Sequence, residues 1–330
     1  MKAFVFGLGG GGDVVSAYVA ALYLESKGYE TILGAVTWER YVEDPVPGPI
    51  CDFENHVRVN DIITELNSRS YSIRLGKVVI PQIVRLMKST GIPKGYSICI
   101  KKGLKDLVKG IEDFSERNNV NLVVGVDAGG DILAKGCEKT LGSPLIDFIM
   151  LNVLGNLRIK SLLATIGAGS DGELEHDYIL QRISEIARLG GLKDSKGIDE
   201  SIAEKLEIVL NDVRTEASRI PYEAFHGLYG RVKIRGGTRE VYVTPVSSIM
   251  FFLDPKVVIS TSPLAQVLKD FSSLDDANRR LNEVGIFTEY DLEKELFARY
   301  GTKSSEVEGE DVLRIREEGK KRLGDCKLVY

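Results

Sequence analysis

Apolar positions along the chain fall into two rhythms, one of strand length and one with helical spacing. KAFVFG is a short apolar run that stops at Gly7. VVSAYVAALYLESKG repeats its apolar residues at helical spacing and ends at Gly28. YETILGAVTW is a second strand. A strand, a helix and a strand in close succession predict a right-handed parallel unit. Residues 41–60 carry Pro45, Pro47 and Pro49 and read as a loop. VVIPQIVRLMKSTG and YSICIKKG divide into strand and helix pieces.

The pattern then resumes. GLKDLVKGIEDFSERNN predicts a helix, and NLVVGVDAGGD a strand ending in a Gly/Asp turn. SPLIDFIMLNVLGNL predicts a helix, with Ser143 as N-cap and Pro144 at the first helical position. KSLLATIGAGSDGE is another strand with a Gly/Asp turn. Helices are expected around 175–189 and 198–217. GRVKIRGGTREVYVTP alternates on both sides of Gly236-Gly237, which predicts a hairpin over 230–245. PKVVISTS reads as one more apolar strand, and residues 264–330 as a helical region. Within it, 302–325 has the composition of a solvated helix with little core. One α/β domain over 1–330 accounts for this order: a Rossmann-like, mainly parallel sheet with helices on both faces, a hairpin insertion and a helical C-terminal region.

Three of the strands end alike. The first runs into Gly9, Gly10, Gly11 and Gly12 and then Asp13. The second ends in Asp127-Ala128-Gly129-Gly130-Asp131. The third ends in Gly167-Ala168-Gly169-Ser170-Asp171-Gly172-Glu173. Loops after parallel strands emerge on one edge of a sheet, where ligands bind. Glycine lets backbone N–H groups approach a ligand closely, and glycine runs present such donors to anions. The aspartates oppose a bare phosphate. A hard cation resolves the conflict, because Mg²⁺ takes carboxylate and phosphate oxygens together.

These residues also have structural uses. Asp13 stands where a helix N-cap would, and Asp131 and Asp171 are common turn residues beside glycine. Asp127 ends a strand whose preceding residues are VVGV, so it starts near a buried edge and needs a partner. Asp127 and Asp131 are accordingly the candidate catalytic and metal-holding pair. Trp38, Glu39 and Arg40 follow the second strand on the same predicted edge. Trp38 could stack on a ring, and Arg40 could neutralise an anion. A dinucleotide fingerprint wants an acid after the second strand. Glu39 is the only candidate and lies late, so NAD or FAD is disfavoured. His176, Glu138 and the pair Thr261-Ser262 are secondary candidates; Ser262 also suits a helix cap. No P-loop, nucleophile-elbow or His-Glu-x-x-His motif occurs.

Composition narrows the classes. The chain has 330 residues, 43% hydrophobic and 28% charged, enough to bury a sizeable core. A net charge of -5 without a basic stripe argues against a nucleic-acid partner. No apolar run reaches bilayer length, and MKAFVFG reads as a strand rather than a leader. The four cysteines (Cys51, Cys99, Cys137 and Cys326) are scattered, which argues against zinc and a disulfide framework and predicts a reduced, cytoplasmic protein. Plentiful Lys, Arg and Glu beside three glutamines lean towards a thermophile.

The segments GLGGGGDVVSAYVAA, TWER, VGVDAGGDILAKGCE, SPLIDFIML and NEVGIFTEYDLE resemble an archaeal group of uncharacterised proteins, domain-of-unknown-function family 1152. The resemblance implies a Rossmann-like fold and carries over no activity. GGGGDVVSA and the Asp127–Asp131 turn also resemble, more distantly, the D-glutamate cyclase family of hydro-lyases. Here four glycines precede Asp13, and Asp131 replaces an expected amide. The leading expectation is an enzyme that binds a nucleotide or phosphorylated metabolite with Mg²⁺. Its alternatives are a lyase for a small amino or hydroxy acid, and a non-catalytic ligand sensor. The expected partner is a small molecule; a homo-oligomer is left open.

Overall fold

The structure is a computed structural model and describes residues 1–329. In chain order the strands are β1 (Lys2–Gly7), β2 (Glu30–Val36), β3 (Glu54–Arg58), β4 (Ile63–Arg74), β5 (Lys77–Val79), β6 (Gly95–Ile98), β7 (Leu122–Ala128), β8 (Ser161–Ile166), β9 (Leu192–Gly197), β10 (Gly230–Ile234), β11 (Arg239–Val243) and β12 (Ile249–Leu253). The helices are α1 (Asp13–Ser26), α2 (Gln82–Thr90), α3 (Leu104–Arg117), α4 (Pro144–Asn156), α5 (His176–Arg188), α6 (Glu200–Asp212), α7 (Ile220–Phe225), α8 (Pro255–Ser260), α9 (Pro263–Val267), α10 (Leu274–Glu283), α11 (Glu289–Tyr300) and α12 (Gly309–Leu323).

One sheet organises the molecule, in the order β3-β4-β6-β2-β1-β7-β8-β12-β9, with β5 paired to β4. Its centre, β6-β2-β1-β7-β8, is parallel throughout. Antiparallel strands extend both flanks. This confirms the Rossmann-like α/β reading. The alternation of β1 divides the core: Phe4 and Phe6 face a cluster with Phe114 and Phe148 of α3 and α4. Ala3 and Val5 face a second cluster built from α1, α2 and α6. Helices α1 and α4 are buried on nearly every side, which explains their lack of a polar face.

The hairpin forms as expected, with β10 antiparallel to β11. Several other expectations are corrected. PKVVISTS is not a strand: Asp254 accepts from the Lys256 N–H and Pro255 occupies the first helical position, so α8 starts there. The strand lies just before it, in β12. Residues 41–60 are not all loop, since β3 is an exposed edge strand. The polar β9 (LKDSKG) falls between two expected helices; as an edge strand it needs no apolar face. The segment 302–325 is not a solvated tail. Its helix α12 buries Ile315, and Phe287 packs so closely that a Cβ at Gly319 would lie 2.1 Å from the ring.

The cysteines are also corrected. Cys51 pairs with Cys99 and Cys137 with Cys326, across 48 and 189 residues of chain. The fold brings them together from distant segments, so spacing could not show it. The argument from free thiols to a reduced compartment therefore loses its ground. Among the described residues no helix is long and apolar enough to cross a membrane.

Candidate functional site

The parallel strands create the site by their order. From β1 the chain passes to β2 on one side, while β7 lies on the other. Loops leaving the carboxyl ends of β1 and β7 diverge there and open a crevice, the usual ligand position in such sheets. A cavity of about 350 Å³ occupies it, within the range of small-molecule sites of about 300–1,000 Å³.

Gly9, Gly10, Gly11, Gly12 and Asp13 line this cavity, with Trp38, Glu39, Arg40, Asp127, Asp131 and Asp171. The fold thus assembles the aspartates of all three turns. Gly129, Gly130, Gly167, Gly169 and Ser170 do not line it. Their N–H groups are largely spent inside the loops: Gly129 donates to Ile166 O, Gly130 to Asp127 Oδ2, Gly169 to Gly129 O and Ser170 to Gly167 O. These glycines shape the turns that present the acids. At Gly129, φ is +123° and a Cβ would fall 2.5 Å from Asp171 Cγ. In the first loop the N–H groups of Gly10 and Gly12, both at the cavity lining, meet no acceptor among the described residues.

Asp13 does not cap its helix. Gly12 is the N-cap, and the Asp13 carboxylate accepts from the Gly9 N–H at 2.9 Å, closing the glycine loop on itself. Asp127 Oδ2 accepts from Gly130 N and Thr165 Oγ1, each at 2.8 Å. Asp147, from the first turn of α4, completes this group. One oxygen from each of Asp13, Asp127 and Asp147 lies within 4.8 Å of the others. Gly9 must lack a side chain here, because a Cβ would stand 2.6 Å from both Asp13 Oδ2 and Asp147 Oδ1. Asp131 belongs instead to a second group with Asp171 and Glu173. The expected pairing of Asp127 with Asp131 at one metal therefore divides, although Asp131 hydrogen-bonds Asp127.

Burial sets the charge of these acids. It raises Asp13 and Asp147 well above the ordinary range, with further repulsion from Asp127. Burial lifts Asp127 to about 6, opposed by its hydrogen bonds from Thr165, Asp131 and Gly130. Asp131 is raised by burial and then by Asp147. Burial and Glu173 take Asp171 to about 7. Asp171 Oδ1 accepts from Glu173 N, while its buried Oδ2 has no hydrogen-bond partner among the described residues. Glu173 behaves oppositely. Burial alone would raise it, but Arg239, Arg316 and Arg235 hold it far below the carboxylate range. Its oxygens also accept from Gly142 N, Ser143 N, Ser143 Oγ and Arg239.

These three arginines form a cationic wall beside the second group. Arg235 comes from the hairpin turn, Arg239 from β11 and Arg316 from α12. Arg239 donates to Asp171 O and Glu173 Oε1, both at 2.9 Å. Arg316 donates to Gly142 O, where any side chain would collide with its guanidinium. Arg235 Nε is buried without a partner among the described residues. Burial, then Arg40 and Arg239, lowers Arg235 to about 9. Arg40 itself is half exposed and sits 3.8 Å from Glu216.

The remaining candidates take structural contacts. Trp38 Nε1 donates to both oxygens of Glu293, at 2.9 and 2.8 Å, and its ring meets Tyr290 edge-on. Glu39 accepts from Gln82 N and Nε2, and burial lifts it to about 7. Ser143 is the N-cap of α4 without capping it, because its hydroxyl faces Glu173 and Asp131. Glu289 accepts from Leu145 N and Ile146 N in its place. His176 and Glu138 lie outside the cavity lining, and Ser262 caps α9.

Sequence reasoning missed Asp147, Glu173, Glu289, Glu293 and the arginine wall. Asp147 carried a signal: an acid inside LIDFIM, a helix buried all round, has no solvent to face. Arg235, Arg239 and Arg316 carried none, because their approach depends on how the hairpin and α12 fold over the sheet edge.

Residues 4–297 match the family model described as a protein of unknown function, DUF1152, and the chain belongs to that family. No curated protein matches the chain, and no solved structure does.

Proposed function

We propose that this DUF1152 chain is a cation-assisted enzyme whose small substrate carries a phosphate group. The observation that carries the reading is the meeting of Asp13, Asp127 and Asp147 beside the wall of Arg235, Arg239 and Arg316. The first acidic group suits a hard divalent ion. Asp127 and Asp147 are buried and Asp13 is half-buried, and the charges of the three carboxylates repel one another. The second suits one poorly, since Glu173 is already saturated by donors and arginines. Mg²⁺ held by Asp13, Asp127 and Asp147 would neutralise phosphate charge, as it does when it joins carboxylate and phosphate oxygens.

The chain's own groups do the rest. The free N–H groups of Gly10 and Gly12 and the guanidinium of Arg235 bind and orient phosphate oxygens. Asp131 and Asp171, kept from ionising freely by burial, hold protons at the edge of the phosphate position. Thermal-shift and calorimetric titration with Mg²⁺, pyrophosphate and ATP test the reading. Joint stabilisation by the ion and a phosphate compound, lost in Asp147→Asn, is expected. No response to any phosphate compound in either metal state refutes it. Metal-independent stabilisation by small carboxylates would favour the lyase alternative.

A further inference from the structure

The phosphate end is only half of the cavity. Its lining also has an apolar side, a chamber walled by Tyr41, Leu292, Leu296, Val307 and Val312. These side chains come from the segment after β2, from α11, from the stretch entering α12 and from α12 itself, and they share one small apolar core with Phe287 and Ile315. Val42 and Leu313 also line the cavity, and both are unusually exposed for their type, at 46% and 42%. Apolar side chains left at a cavity wall are sheltered when an apolar ligand group lies against them.

Three of the polar groups beside the chamber are already committed. The Tyr41 hydroxyl donates to backbone carbonyls, Leu296 O at 3.4 Å and Gly301 O. Glu293 is engaged by Trp38 Nε1 and Gly48 N. Glu289 is engaged by Leu145 N and Ile146 N. A nucleobase buried against these three would find no free partner in them, and an unpaired edge is costly. A hydrocarbon tail demands nothing of these groups.

We infer that the substrate is an amphipathic phosphate ester, with its phosphate or diphosphate beside the aspartates and arginines and an aliphatic tail, of the isoprenoid or alkyl kind, in the chamber between Tyr41, α11 and α12. This inference rests on the phosphate-site reading and narrows its substrate class. The C-terminal helices then serve as the tail-binding half of the site, and Arg316 on α12 joins the two halves.

The test compares three magnesium complexes by calorimetry on the full chain: pyrophosphate, geranyl diphosphate and ATP. Geranyl diphosphate should bind at least about tenfold more tightly than pyrophosphate, since two sheltered methylene groups suffice for that factor. ATP should show no such gain. The ratio should fall towards one in Leu296→Asn and in Val312→Asp, the second on a partly exposed position that spares the core. Pyrophosphate bound without a gain from the geranyl tail, or an equal gain from ATP, overturns the inference and leaves the phosphate reading standing. Absence of binding by all three overturns both.

Discussion

Asp127 makes the charge state of the site measurable through stability. Its carboxyl is held at about 6 in the folded protein against an ordinary 3.8. Below about pH 4 both folded and unfolded chains keep the proton, and nothing is lost. Between about pH 4 and 6 the unfolded chain releases it while the folded chain retains it, so stability falls as pH rises through the folded value. The shift is about two units, or about 3 kcal/mol at about 1.4 kcal/mol per unit. With about 2.1 cal/mol/K of unfolding entropy per residue, a chain of this length converts that into about 4 °C of melting temperature. Asp127→Asn removes the titration and keeps an oxygen for the Gly130 N–H and Thr165 hydroxyl. Without metal, the variant should therefore gain about 4 °C on the wild type between about pH 4 and pH 8. Calorimetric scans of both proteins across that range give the answer. Parallel melting curves, or a variant that loses ground as pH rises, would refute the electrostatic reasoning.

Other outcomes follow from the same contacts. Gly9→Ala drives a Cβ to 2.6 Å from Asp13 Oδ2 and Asp147 Oδ1; it should abolish thermal stabilisation by Mg²⁺, whereas Gly197→Ala, with nothing within 4 Å, should leave it intact. Glu173→Gln leaves Arg239 without its buried counter-charge and should cost about 3–5 kcal/mol in denaturant unfolding. Because Glu173 is held far below the usual carboxylate range, its contribution should persist across neutral pH and disappear only in strong acid. Opening the link between Cys137 and Cys326, 189 residues apart, by replacing both with Ser should cost up to about 5 kcal/mol; denatured, unreduced wild type should show no free thiol.

Much of the architecture was legible because it rests on local pattern. The strand at KAFVFG, the helix of VVSAYVAALYLESKG and the strand at NLVVGV each follow from apolar spacing. Their parallel arrangement then follows from connection rules. The repetition of Gly and Asp at three strand ends pointed to the edge where the cavity lies. The division of labour within the turns was not legible. Gly129 and Gly169 spend their N–H groups across the second and third turns, on Ile166 O and Gly129 O, which only three-dimensional proximity decides. The strand misread at PKVVISTS shows a capping acid and a proline outweighing an apolar run. The C-terminal helix was misjudged for a different reason. Its charges looked solvated, yet Arg316 turns inward because Glu173 waits, buried, on a loop more than a hundred residues earlier. Asp147 was the one missed acid with a readable anomaly.

The most direct test of the account is a crystal grown with Mn²⁺ in place of Mg²⁺ and measured for anomalous scattering. The account predicts one peak enclosed by the carboxylates of Asp13, Asp127 and Asp147, absent in Asp147→Asn. A peak held instead by Asp131, Asp171 and Glu173, or no peak in the crevice at saturating Mn²⁺, would contradict it.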